Sequence, residues 1–115
     1  MSQITTHVLN TSTGKPANQL AIRLEQKNAA GWQTIGQGET NTDGRIADLL
    51  ADDYVVNAGD YRMCFDTKPY FDRQEECYFY PFVEIVFSIT DSELDDHFHI
   101  PLLLSPYGYT TYRGS

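Results

Sequence analysis

Three segments put titratable or cationic side chains inside otherwise strand-like sequence. His7 interrupts the run Ile4-Thr-Thr-His-Val-Leu9, and Arg45 follows an Asp43-Gly44 turn that fixes its backbone and aims its side chain. His97 and His99 stand two apart, so in a strand both rings leave one face while Phe98 leaves the other. Singly, each is ordinary: a strand histidine is more often packed or solvated than catalytic, and an arginine after a turn is usually a loop residue. Together they change the reading. Imidazoles of adjustable protonation and a guanidinium can bind a planar anion, polarise a carbonyl and activate water. No serine or cysteine stands in a recognisable nucleophile setting, so attack by water is expected rather than a covalent intermediate. His97 and His99 lack a third ligand at a supporting spacing, so zinc is not expected, and no cofactor is called for.

The final fourteen residues add to this set. They run as an apolar strand, turn at Ser105-Pro-Tyr-Gly108, and return through Tyr107, Tyr109 and Tyr112 to Arg113, Gly114 and Ser115. Chain ends usually fray, so this pattern predicts a terminus that is packed and used. The tyrosines by themselves fit a sheet edge or a subunit contact equally well.

The elements that must position these groups are strands. Leu20, Ile22 and Leu24 alternate with Ala21, Arg23 and Glu25; Tyr61, Met63 and Phe65 with Arg62, Cys64 and Asp66; Val83, Ile85, Phe87 and Ile89 with Glu84, Val86 and Ser88. The pattern predicts strands near 4–10, 19–27, 31–38, 44–47, 59–66, 81–90, 97–104 and 107–112. Pro69 suits a first helical turn, and residues 68–77 are expected to form one short helix. Seven or eight short antiparallel strands with frequent turns predict an all-β sandwich of two sheets, in one domain spanning residues 1–115.

Charge removes several function classes. Sixteen acidic against eight basic residues give a net charge of −8, which argues against nucleic-acid and anionic-membrane partners. An anionic ligand would need a local positive cluster working against that field. No secretory signal or membrane-spanning run is visible, so a cytoplasmic location is expected, with Cys64 and Cys77 as reduced thiols.

At these residues the chain resembles the hydroxyisourate hydrolase branch of the transthyretin (prealbumin) family. The landmarks are His7-Val-Leu-Asn-Thr-Ser-Thr-Gly-Lys-Pro-Ala17, Thr42-Asp-Gly-Arg-Ile46, Gly59-Asp-Tyr-Arg62 and the closing stretch from His97 to Ser115, ending Tyr-Arg-Gly-Ser. Thr110 stands where many members have serine. The resemblance implies a prealbumin-like sandwich assembled as a homotetramer, with active sites in channels between dimers. It also implies a small-molecule substrate, 5-hydroxyisourate, opened to 2-oxo-4-hydroxy-4-carboxy-5-ureidoimidazoline. His7, Arg45, His99 and Ser115 would be catalytic; His7, Arg45 and Tyr112 would bind substrate; His97, Arg113 and Gly114 would support them. The rival readings are a non-catalytic carrier of a small aromatic ligand, which needs an apolar channel more than a cationic one, and a purely structural interaction domain, which predicts a monomer.

Overall fold

Alternating apolar and polar side chains become strand wherever a turn bounds them. In the computed structural model, which describes residues 2–115, eight strands form: β1 (Ile4–Asn10), β2 (Lys15–Pro16), β3 (Ala21–Asn28), β4 (Gly31–Glu39), β5 (Gly59–Asp66), β6 (Val83–Ile89), β7 (Phe98–Ser105) and β8 (Gly108–Thr111). They build two four-stranded sheets, ordered β2-β1-β7-β8 and β4-β3-β5-β6. A helix, α1 (Thr67–Arg73), follows β5, and a 3₁₀ turn (Asp91–Glu93) precedes β7. Ile4, Val8, Leu102 and Leu104 of the first sheet meet Leu24, Tyr61, Met63, Phe65 and Val83 of the second, all essentially without exposed surface. Each such burial contributes about 1.5–3 kcal/mol, which makes this two-sheet core the main source of stability. No helix among the described residues is long and apolar enough to cross a membrane.

The sandwich expected from the alternation is present, with local departures, the first being a two-residue strand at Lys15–Pro16 that was not expected. Residues 44–47 form no strand: Gly44 lies in a turn and Arg45 makes a single bridge to His7. Ile46, with Leu49 and Leu50 beyond it, packs onto the core instead of joining a sheet. The third strand begins at Ala21, because Gln19 takes a left-handed backbone (φ 59°) that a strand cannot include. The helix ends at Arg73 rather than 77, since Glu75 is also left-handed (φ 55°). Finally, β1 and β7 pair in parallel while the other pairings are antiparallel. Period-two alternation sets which face a side chain takes but says nothing about strand direction.

The outward face of the second sheet holds a buried carboxylate. Glu25 accepts from Arg62 Nε at 2.7 Å and Arg62 Nη2 at 2.6 Å, from Arg23 Nε at 3.0 Å, and from the Cys64 thiol at 3.4 Å. The Arg62 guanidinium also lies 4.5 Å from the centre of the Trp32 ring. Burial pushes the Glu25 carboxyl up, but these donors outweigh it and hold the group below its ordinary value. Arg62→Met should therefore cost about 3 kcal/mol, because it strands a buried charge with only part of its partners, and urea denaturation will measure it. Burial also raises the Cys64 thiol to about 11, so it stays protonated and unreactive at neutral pH, whereas Cys77 is exposed.

Candidate active site

His7 occupies the outward face of β1, where half-buried Thr5, His7 and Leu9 alternate with buried Ile4, Thr6, Val8 and Asn10. Arg45 is brought beside it by a hydrogen-bonded loop. The Asn41 side chain accepts from the amides of Asp43 (2.9 Å) and Arg45 (3.1 Å), and the Asn41 amide donates to the Arg45 carbonyl (2.8 Å). The Val8 amide then donates to the Gly44 carbonyl at 2.9 Å, docking the loop on β1. Only glycine fits at position 44. Its φ is +75°, and a Cβ there would lie 2.5 Å from the Val8 carbonyl oxygen and 3.3 Å from the His7 ring.

His99 reaches the same face through register. In the parallel β1–β7 pair, Thr5 stands opposite His99 and His7 opposite Pro101. The Thr5 hydroxyl lies 2.8 Å from His99 Nδ1 and 3.1 Å from His97 Nε2, and the two rings stack with centroids 6.5 Å apart. Gly114 closes the other side: its amide donates to the His99 carbonyl at 2.8 Å, and a Cβ on it would meet the His99 ring at 2.7 Å. A glycine is required so that the terminal segment can lie flat against this imidazole.

These elements border a cleft of about 310 Å³ lined by Thr5, Arg45, His97, His99 and Ser115, with Ile46 on its wall. His7 does not line this cleft but is bridged to Arg45 at its side. Burial, then the Arg45 charge, pushes the His7 imidazole below its ordinary value, against the opposing pull of the Asp43 carbonyl that its ring contacts and of the Asp43 carboxylate. Burial, then Arg45, His97 and His7, lowers His99 likewise. Both rings are thus neutral at pH 7, leaving Arg45 as the fixed cation beside them. Because the folded state resists protonating them, stability and activity are lost as pH falls below about 6.5, and the acid limb of the kcat/KM profile should have its midpoint under that value.

The remaining candidate residues divide. Ser115 lines the cationic cleft. Tyr112 does not: it is 57% exposed and borders a separate, mostly apolar cleft of about 240 Å³, shared with Ile85, Phe87, Ile100 and the far side of His99. Arg113 turns away from the cluster. Its Nη1 lies 2.7 Å from Glu93 and its guanidinium 4.9 Å from the Phe98 ring centre, with Asp96 at 3.7 Å, so it tethers the terminal segment rather than adding charge to the cleft. That contact, with hydrogen bonds from Thr90, holds the Glu93 carboxyl down at about 2. Thr5 and Asn41 position the site without having been singled out from sequence. Thr5 shares a strand face with His7, which was a usable signal, but its partners lie more than ninety residues away.

The fold agrees with what the chain is similar to. The HIUase/Transthyretin family model matches residues 4–114. A mouse 5-hydroxyisourate hydrolase is 45% identical, covering 99% of this chain and 96% of the relative. A probable 5-hydroxyisourate hydrolase of Schizosaccharomyces pombe is 43% identical, covering 97% and 90%. Among solved structures, the Klebsiella pneumoniae 5-hydroxyisourate hydrolase superposes with a TM-score of 0.82 at 35% identity, covering 97% of this chain and 92% of the other. Sea bream transthyretin in complex with thyroxine superposes at 0.89, also at 35% identity, covering 98% and 95%. With a two-sheet sandwich, these landmarks and relatives over nearly its whole length, the chain belongs to the HIUase/transthyretin family.

Proposed function

We propose that this chain is an enzyme that hydrolyses 5-hydroxyisourate, the oxidised product of urate, to 2-oxo-4-hydroxy-4-carboxy-5-ureidoimidazoline in urate catabolism. The observation that carries the reading is that Arg45 and His99 line one cleft sized for a small heterocycle, with His7 bridged to Arg45 at its side. Relatives at 43–45% identity bear that enzymatic name, which supports the same assignment. Fold alone does not separate enzyme from carrier, since a thyroxine-bound transthyretin superposes as well. The site does: a carrier of an aromatic ligand needs an apolar channel, and this cleft presents Arg45, His97 and His99.

In the proposed reaction, Arg45 holds the planar anion by paired hydrogen bonds. His7 and His99 share the activation of water and the polarisation of the carbonyl. Water adds to the ring carbonyl, giving its proton to an imidazole; the C–N bond then breaks, and that proton passes to the departing ring nitrogen. The enzyme ends the cycle unchanged. Tyr112 lies outside its own chain's cationic cleft, so in this reading it reaches substrate from a neighbouring subunit of a homotetramer. Exposed Tyr107, Tyr109 and Tyr112 are consistent with such a contact surface.

The test generates the substrate in place with a urate oxidase and follows its ultraviolet decay. The expected result is faster decay with this protein, and sedimentation as a tetramer. Unchanged decay would reject the hydrolase reading, and a stable monomer would reject the shared site.

A further inference from the structure

The contact between Thr5 and two imidazoles bears on which nitrogen of His99 carries the proton. A hydroxyl has one hydrogen, so Thr5 can donate to only one of its two neighbours and must accept from the other. His99 Nδ1 is the closer, at 2.8 Å, and His97 Nε2 lies at 3.1 Å. If Thr5 donates to His99, His97 supplies an Nε2–H, which it possesses both as the Nε2–H tautomer and when protonated. If Thr5 donates to His97 instead, His97 must be neutral and carry its proton on Nδ1. The contact lengths favour the first arrangement, since 2.8 Å is ordinary for an O–H donor and 3.1 Å for an N–H donor.

We infer that Thr5 is a positioning residue whose hydroxyl donates to His99 Nδ1, fixing the proton on Nε2 and turning that N–H toward the substrate as a hydrogen-bond donor. The inference rests on the hydrolase reading for its consequence but not for its geometry. His99 Nε2 has no hydrogen-bond partner among the described residues, so it is free to serve a ligand. The ring cannot swing away, because Gly114 lies against its Cδ2 edge. His99 then polarises the carbonyl of the bound heterocycle. The groups whose charge acts on His99 are Arg45, His97 and His7, and none of them is a carboxylate.

With His99 assigned as the donor, His7, beside Arg45 and kept below its ordinary value, is the imidazole left to take a proton from water. Thr5 thus separates two chemically similar residues into a donor and a base, with His97 completing the hydrogen-bond chain from the solvent side.

The test compares the full-length wild type with Thr5→Val and Thr5→Ser. Nitrogen NMR of the imidazoles at pH 8 reads protonation directly and needs no substrate. In the wild type, His99 Nδ1 should be unprotonated and hydrogen-bonded, with Nε2 protonated. Thr5→Val should lose the Nδ1 hydrogen-bond shift, while Thr5→Ser should retain it. Turnover should fall about tenfold in Thr5→Val with KM nearly unchanged, and Thr5→Ser should recover to within about twofold. A protonated Nδ1 in the wild type, or a valine variant with wild-type spectrum and turnover, would overturn the proposal. A wild type that shows the expected spectrum but hydrolyses nothing would instead reject the hydrolase reading and leave the Thr5 contact standing.

Discussion

His99→Asn should lower kcat by about 10²–10⁴-fold while KM moves only a few-fold. His99 is half-buried on an outward sheet face and contributes nothing to the core between the sheets, so the variant should fold normally. What disappears is an imidazole held by Thr5 at one nitrogen and walled by Gly114. An asparagine keeps some polarity but cannot place a donor where Nε2 stood. Steady-state kinetics on urate oxidase-generated substrate, with circular dichroism to confirm folding, will separate lost catalysis from lost structure.

Arg45→Gln should cut kcat/KM by about 10²–10³-fold, through a raised KM as well as a lowered kcat. The difference from His99→Asn follows from chemistry. A guanidinium binds the ground-state anion and also the charge that develops as water adds, so both parameters change. Arg45→Lys should rescue little, because an ammonium cannot present two parallel donors to a flat ring. Removing Arg45 also removes a charge that lowers both His7 and His99, so the acid limb of the rate profile should move upward in Arg45→Gln.

Face assignments were legible from the sequence because strand period fixes them. The alternations at Leu20–Leu24, Tyr61–Phe65 and Val83–Ile89 all place their apolar members inward. Direction was not legible. Nothing in the run from Ile4 to Leu9 announces that β1 lies parallel to β7, yet that pairing sets Thr5 against His99. The segment 44–47 is no strand because Ile46 is apolar for the core's sake, and a single bridge leaves no periodic signature. His7, Arg45 and His99 could be singled out as polar interruptions in strand-like sequence. Arg113 could not be placed, because its partners Glu93 and Asp96 belong to a turn whose position depends on the whole sandwich. Tyr112 marks the boundary of what one chain contains, since its side chain borders the apolar cleft rather than the cationic one.

The most direct measurement is a crystal structure of the assembled protein with urate, the flat anion one oxidation step before the proposed substrate. The account predicts the ring seated in the cationic cleft, with Arg45 paired to its edge, His7 and His99 flanking it, and Tyr112 of a neighbouring subunit closing over it. Urate bound only among Ile85, Phe87 and Ile100, with Arg45 and the imidazoles left facing solvent, would contradict it.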